Sequence, residues 1–321
     1  MTSGLEFPAD KAVSSVTATI PPRPRRTRRL ARTKEATLGY ALLLPALAVF
    51  GVFTFFPFLK NFDLAAHHPG PYPGSPNPYV GASQFFQIIR SSPFLDSLRT
   101  TLIFVGIAVP LGLFLGLALA VFANQKLRGS AFFQVVFSST AITSIAVAAV
   151  VFETILSPSN GLMQWLGVHT GPGIQQSPGW AIEAIAGISA WQFMGFSFII
   201  MIAGLQSLPE EVLEAARIDG ASSWRVFWRV IVPLMSPTIF FGGVVGTILA
   251  LQSFGAIDII ITNQYTTSSH TNVLINFIYD EIVYNRNFGY AACLSIALFL
   301  ITLLVTVAQF RILEKRVHYA S

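Results

Sequence analysis

The residues of this chain that could do chemistry stand out because they interrupt or end long apolar runs. Six of them are Glu153, Glu183, Trp191, Gln192, Gln252 and Asp258. Ionisable and amide side chains are costly in a membrane, and they usually face a bundle interior or a water-filled path. We therefore predict that these residues line a path for a polar solute. Two alternatives stay open: Glu153 could simply reach interfacial water, and Gln192 could form a helix–helix hydrogen bond.

The usual signatures of catalysis are missing from the sequence. There is no Gly-x4-Gly-Lys phosphate loop, no Gly-x-Ser-x-Gly and no His-Glu-x-x-His. His67 and His68 are adjacent but have no partner at metal-ligand spacing, and Cys293 is the only cysteine. We therefore expect no catalytic site, metal or cofactor in this chain. If the protein transports a solute, the energy should enter through a partner, because the apolar runs carry few charges that could couple to ions.

The composition is that of a membrane protein. Of the 321 residues, 53% are hydrophobic and 11% are charged, whereas soluble domains carry about 25% charged residues. A spanning helix needs roughly 20 mostly apolar residues. Six stretches qualify: about Leu38–Leu59, Leu98–Phe122, Ala131–Phe152, Trp180–Leu205, Thr238–Ile257 and Gly289–Phe310. The sequence predicts an all-α, polytopic membrane protein with six transmembrane helices in residues 38–310, the third of them polar in its first half.

The basic residues indicate the orientation. Eight lie in residues 1–37, two in 126–128, three in 207–237 and three in 311–321, together 16 of the 20. Because cytoplasmic segments are enriched in Lys and Arg, both termini are predicted to be cytoplasmic in a bacterial inner membrane. Residues 1–37 are interpreted as an uncleaved tail, since the apolar run that comes after them is too long for a signal peptide. Its arginines should contact anionic lipid rather than nucleic acid, and residues 311–321 form a second tail.

A polar, charge-dense stretch at 207–237 lies between the fourth and fifth predicted spans. Ser207 and Glu210 have the spacing of a capping box, which predicts a helix start. Gly220 is placed to end that helix, because glycine adopts the left-handed conformation cheaply. A second short helix should come next and end near Pro233. The stretch is therefore predicted to be two short helices at the cytoplasmic surface.

Within this stretch, Glu-Ala-Ala at 214–216, then Gly220, then Val-Ile-Val-Pro at 230–233 resembles the EAA signature of the permease subunits of bacterial ABC importers. The resemblance extends over nearly the whole chain from Leu38. It implies a coupling helix that docks on an ATPase, with these residues at the docking surface: Glu214, Ala215, Ala216, Asp219 and Gly220. It also implies four kinds of partner: a second permease subunit, an ATPase dimer that holds ATP and Mg, an extracytoplasmic binding protein and the lipid membrane.

The substrate class is suggested by further resemblances. The stretch FGYAACLSIALFLITLL resembles the last helix of the carbohydrate-uptake branch, while LQSLPEEVLEAARIDGA and VAQFRILEKRVHY resemble importers of glycerol-3-phosphate. Glycerol-3-phosphate or a glycerophosphodiester such as glycerophosphocholine is therefore expected, and a disaccharide or oligosaccharide is the alternative. A membrane enzyme or channel is the distant alternative. The chain departs from the branch at Thr140 and Ile145, where prolines are common, and at NQYTTSSHT after the fifth span. A choline-like cation would suit Trp191 and nearby acids.

Overall fold

The structure is a computed structural model that describes residues 39–68, 78–124, 129–157, 161–165, 181–262 and 272–313. Residues 1–38 and 314–321, which include the predicted basic tail, lie outside the described residues, as does NQYTTSSHT at 263–271. The described residues are almost entirely helical and form no strand, apart from an isolated bridge between His67 and Tyr79. The predicted all-α fold is confirmed for this part of the chain.

The described residues form thirteen helices along the chain. They are α1 Gly39–Ala65, α2 Ser83–Ile89, α3 Ser92–Ala123, α4 Ser130–Ser139, α5 Ile145–Leu156, α6 Leu162–Trp165, α7 Ala181–Gln206, α8 Glu210–Ile218, α9 Ser223–Leu234, α10 Ser236–Leu251, α11 Gly255–Thr262, α12 Leu274–Val283 and α13 Phe288–Leu313. The chain separates into two compact units, Met1–Leu59 and Lys60–Ser321. The described part of the first unit is helical and contains a π-helical turn at Gly51–Phe55.

Four described helices are long and apolar enough to cross a membrane: α1, α3, α7 and α13. Two pairs of consecutive helices meet the same requirement only when each bent pair is taken as one span. The bend is 100° between α4 and α5, and 67° between α9 and α10. The described residues thus contain four such helices, or up to six, and the predicted number of six depends on counting both bent pairs.

The most extensive helix–helix contact joins α3 to α7, and two glycines of α3 make it possible. A Cβ at Gly112 would lie 2.7 Å from the Phe193 ring, and one at Gly116 would lie 2.9 Å from the backbone nitrogen of Phe198. Because neither distance leaves room for a side chain, the two backbones approach more closely than larger residues would permit. This agrees with the small-xxx-small spacing of Gly112 and Gly116 in the sequence. Pro110 lies within α3, which continues past it.

The polar half of the third predicted span is the point where that span breaks. The helix α4 tightens into a 3₁₀ turn at Thr140–Ile142, and Thr143 and Ser144 then adopt extended backbone conformations before α5 begins. The hydroxyl groups of Ser139 and Thr140 donate to backbone carbonyls three residues earlier, at 2.6 and 2.9 Å. Such bonds compete with the helical pattern and favour a bend. Residues Ala131–Phe152 are therefore two helical segments rather than one continuous helix.

A separate apolar cluster packs α12 against the N-terminal halves of α3 and α13, with Phe94, Leu274 and Leu294 at its centre. The Leu274 backbone N–H donates to the Thr101 hydroxyl at 2.9 Å, which fixes the start of α12 against α3. Cys293 is buried in this cluster and its thiol donates to the Ala65 carbonyl at 3.4 Å. The cysteine is thus a small packing residue, which its position inside an apolar run of the sequence favours.

Candidate functional site

A cavity of about 520 Å³ lies among α3, α7 and α10. Two non-helical stretches also border it, one between α4 and α5 and the other between α10 and α11. Ala141 and Ile145 line it from either side of the α4–α5 break. Gln252 and Phe254 line it from the non-helical residues between α10 and α11. Non-helical backbone at membrane depth is tolerated where it is covered by protein or lines a water-filled cavity. Both breaks open onto the same space, and binding sites of transporters are commonly built in this way.

Gln192 connects the break to the cavity. Its side-chain amide nitrogen donates to the Thr143 carbonyl at 3.0 Å, which satisfies a backbone group that the break removes from the helical pattern. Gln192 lies close to the middle of α7 and also lines the cavity. Gln192 thus hydrogen-bonds to another segment, but the acceptor lies in the break and not in a helix. This bond uses one of the two amide N–H groups and leaves the other N–H and the amide oxygen for further partners.

A second polar group on the same helix faces this space. Ser189 lines the cavity, and its buried hydroxyl has no hydrogen-bond partner among the described residues. A buried hydroxyl without a partner costs free energy, so it is poised to accept a water or a polar ligand. Gln192 and Phe193 lie about one turn after Ser189. The three side chains therefore form one stripe along α7.

Aromatic rings form much of the remaining wall. Phe193 and Phe196 extend from α7 with ring centroids 5.8 Å apart. A Cβ at Gly246 would collide with the Phe193 ring, so this glycine of α10 makes the space that the ring occupies. Phe254 is held by Tyr279 of α12, with ring centroids 4.7 Å apart. The wall thus offers ring faces that suit sugars, glycerol carbons or quaternary ammonium groups.

Among the six residues predicted to line a path, Gln192 and Gln252 line this cavity and Trp191 is not among its lining residues. The Trp191 ring instead packs edge-to-face against Phe152 of α5, at 5.2 Å between centroids. Three carboxylate residues are also not among the lining residues: Glu153, Glu183 and Asp258. Glu183 is exposed in the first turn of α7, whereas Glu153 and Asp258 are half-buried.

The described residues that line the cavity carry no charge, and several of them escaped sequence reasoning. Ser189 and the rings of Phe193 and Phe196 look like ordinary residues of an apolar span, and nothing in their type marks them. A spacing signal was available, because Gln192 and Phe193 lie three and four residues after Ser189, and Phe196 lies four and three residues after them, along one helix face. The cavity therefore offers hydrogen-bonding and aromatic groups without an ionic one.

The EAA-like residues lie on a different feature, the short amphipathic helix α8. It begins at Glu210, and the Ser207 hydroxyl donates to the Gly204 carbonyl at 2.7 Å. At the other end Gly220 has φ +71°, and the Ala221 N–H donates to the Ala216 carbonyl at 3.2 Å. This is the Schellman arrangement, and it confirms that Gly220 ends the helix.

The surface of α8 is open on the side that carries the EAA-like residues. Glu214 and Ala215 are exposed, as are Asp219 and Gly220, and Ala216 is half-buried. A Cβ added at Gly220 would meet no atom within 4 Å. The five residues therefore run from the middle of α8 to the turn that ends it, and this part of the chain presents small and acidic residues rather than a closed core.

A helical membrane chain with a cavity at two broken helices and an exposed helix between its spans has the form of a transporter subunit. Residues 81–319 match the family described as "Binding-protein-dependent transport system inner membrane component", and the chain belongs to that family. Its membership confirms the interpretation as an ABC importer permease subunit and not an enzyme.

Two curated relatives are similar over most of their length. The chain is 30% identical over 287 residues to the "sn-glycerol-3-phosphate transport system permease protein UgpA" of Agrobacterium fabrum, with 88% of this chain and 96% of the relative covered. The protein of the same name from Yersinia pestis is 33% identical over 285 residues, with the same coverage. A solved chain of "a bacterial ABC transporter involved in the import of the acidic polysaccharide alginate" has a TM-score of 0.77 at 23% identity, covers 90% of this chain and 99% of its own, and shows the shared fold.

Proposed function

We propose that this chain is the membrane-spanning permease subunit of an ATP-driven importer that moves glycerol-3-phosphate or a glycerophosphodiester such as glycerophosphocholine by alternating access. The observation that carries the proposal is the cavity at which both helix breaks meet. Relatives named for glycerol-3-phosphate transport support the substrate class. In this arrangement both termini are cytoplasmic, and the partners are a second permease subunit, an ATPase dimer that holds ATP and Mg, and an extracytoplasmic binding protein.

Within that class, the lining favours a substrate without net charge. Phosphate is usually bound by Arg or Lys, and no charged side chain lines the described cavity. Glycerophosphocholine is a zwitterion whose glycerol hydroxyls suit Gln192, Ser189 and Gln252. Its quaternary ammonium group suits the faces of aromatic rings. The same amide, hydroxyl and aromatic groups also fit sugar hydroxyls, which keeps a disaccharide or oligosaccharide as the second candidate.

The proposed coupling surface is the exposed part of α8. A docked ATPase can drive the permease only if it contacts the two conformations of α8 with different free energies. Small side chains at Ala215 and Ala216 would allow close approach, and Glu214 and Asp219 would supply charge for pairing. By this proposal α8 transmits force and contacts no substrate.

Uptake assays test the substrate site. The importer would be reconstituted in vesicles, and uptake of labelled glycerophosphocholine, glycerol-3-phosphate and maltose would be compared. Gln192→Leu should lower uptake of the preferred substrate by about fivefold or more, because a lost hydrogen bond to a buried group costs about 1–3 kcal/mol. Glu183→Gln is the matched control, since Glu183 is exposed and lies outside the lining. Full uptake by Gln192→Leu would remove this cavity from the transport path.

Charge reversal on α8 tests coupling. Glu214→Lys should reduce the amount of ATPase that co-purifies with the permease and abolish ATP-driven uptake. Glu211→Lys is the control, because Glu211 is also exposed on α8 but lies outside the motif. Equal effects of the two changes would show that general charge, and not the motif, is responsible. If no ATPase co-purifies with the unaltered chain, the importer proposal fails as a whole.

A further inference from the structure

The helix α9 carries two adjacent stripes that the permease function leaves unexplained. Trp224 is 71% exposed and Trp228 is 46% exposed, one turn apart. Arg225 and Arg229 are also one turn apart and exposed, and they lie beside the tryptophans around the helix. Val226 is buried, and the neighbouring Phe227 packs against the apolar cluster formed by the ends of α3 and α7, so these two residues face the protein.

The aromatic stripe is ordered by its own contacts. The rings of Trp224 and Trp228 pack edge-to-face with centroids 5.6 Å apart, and the Phe227 ring meets Trp228 edge-to-face at 5.0 Å. Exposed rings in a rigid group are typical of the water–hydrocarbon boundary, where an indole buries its apolar face and keeps its N–H near polar groups.

The two arginines supply charge that the described part of the chain does not pair. In the described residues, neither Arg225 nor Arg229 has a carboxylate within ion-pair distance. A guanidinium group binds phosphate oxygens through two parallel hydrogen bonds. The pair therefore complements a phosphate-bearing surface, with Trp224 and Trp228 beside it to enter the apolar layer.

The direction and length of α9 keep it at that boundary. The helix ends at Leu234, and α10, which begins at Ser236, is bent from it by 67°. With α10 along the membrane normal, a 12-residue helix about 18 Å long rises only about 7 Å from the membrane plane. The headgroup layer is about 5–7 Å thick on each side, so the axis of α9 rises by no more than about the thickness of that layer.

We propose that α9 is an interfacial helix that binds anionic phospholipid. Trp224 and Trp228 lie at the boundary between glycerol and acyl chains, and Arg225 and Arg229 bind headgroup phosphates in the leaflet on the α8 side. Anionic lipid is favoured over a protein partner because the aromatic and basic stripes run side by side along a helix that lies close to the membrane plane. Such a helix would hold the base of α8 at a fixed depth.

Lipid quenching of tryptophan fluorescence tests this directly. A full chain that retains Trp224 as its only tryptophan, with Phe at the other four positions, is reconstituted in vesicles of phosphatidylcholine with an equal fraction of brominated phosphatidylglycerol or brominated phosphatidylcholine. Bromines near the headgroup should quench Trp224 more than bromines near the chain end. The brominated anionic lipid should quench more strongly, with local enrichment of up to about thirtyfold for two arginines.

Charge variants separate the lipid site from general attraction. Arg225→Gln with Arg229→Gln should abolish the preference for the anionic lipid but retain quenching. Arg90→Gln with Arg99→Gln is the matched control, since it removes the same charge from exposed positions before and within the first two turns of α3 and should leave the preference unchanged. The proposal would be overturned if both brominated lipids quenched Trp224 equally in the chain that keeps Arg225 and Arg229. It would also be overturned if only aqueous iodide quenched Trp224.

The same measurement distinguishes lipid from a protein occupant. Trp224 should remain quenched by lipid when the ATPase is added, since the proposal places the membrane against α9. Loss of lipid quenching on addition of ATPase would assign the surface to the ATPase and refute lipid binding. The vesicle assay without ATPase requires only the membrane-embedded chain, so a failure of coupling through α8 would leave its result unaffected.

Discussion

Replacing Gly116 by Ala adds only one methyl group, but it should destabilise the protein strongly. The added Cβ would lie 2.6 Å from the Ser197 Cβ and 2.9 Å from the Phe198 backbone nitrogen. Carbon atoms are normally separated by about 3.5–4.0 Å, so α3 and α7 would have to move apart by roughly 1 Å. Side-chain rotation cannot relieve a contact with backbone. Overpacking of a core typically costs about 1–3 kcal/mol, and we expect a value near the upper end of that range.

Gly106→Ala is the matched control on the same helix. A Cβ at Gly106 would meet no atom within 4 Å. An alanine there should be neutral or should stabilise the helix by about 0.5–1 kcal/mol, because glycine loses more conformational freedom on folding. The two variants differ from the parent by the same methyl group and are therefore expected to differ from each other by about 4 kcal/mol of unfolding free energy.

The assay is unfolding of the purified protein in mixed detergent micelles, followed by helix content and by tryptophan emission. Gly116→Ala should unfold at a lower denaturant fraction than the parent, and Gly106→Ala at the same or a higher one. If Gly116→Ala is as stable as Gly106→Ala, the close approach of α3 and α7 through this glycine is wrong.

Three further substitutions test other contacts. Thr101→Val should cost about 1–3 kcal/mol because it leaves the buried Leu274 N–H without its acceptor, and Thr101→Ser should restore most of it. Thr247→Val should lower the free energy of unfolding more than Gln309→Leu does. It removes the oxygen to which the Gln309 amide donates at 2.8 Å, whereas Gln309→Leu also removes a buried oxygen that has no partner among the described residues. The reverse order of unfolding midpoints would contradict this. Burial raises the pKa of Asp280, so the stability it contributes is present at acidic pH and lost as pH rises through that pKa. Asp280→Asn should therefore flatten the pH dependence of hydrogen exchange in α12, and an unchanged slope would show that another group titrates.

The helical fold was predictable because apolar runs of the right length are a local property of the sequence. The ends of α7 at Ala181 and Gln206 lie within one residue of the predicted stretch, and those of α13 lie within three. The end of α8 was also predictable, because Gly220 must adopt a positive φ there. These features depend on composition and on backbone conformation, which the sequence carries without reference to distant residues.

The breaks and the cavity were not predictable in the same way. Polar residues in the third stretch indicated a weak span, but the extended backbone at Thr143 is stabilised by Gln192, 49 residues away. Gln192 was singled out because an amide in an apolar helix needs a partner. Ser189 was not, since a hydroxyl can bond to its own helix. The direction of the Trp191 ring likewise depends on its contact with Phe152, which lies in another helix.

The uncharged lining of the cavity has an electrical consequence. No described lining side chain carries a charge that could neutralise a charged solute. The full net charge of the solute therefore crosses the membrane field. That field is worth about 2.3 kcal/mol per elementary charge for each 100 mV. An anion imported into a cell with a negative interior would move against it, whereas a zwitterion would experience almost no net force. Uptake through this chain should therefore depend on membrane voltage in proportion to the net charge of the solute.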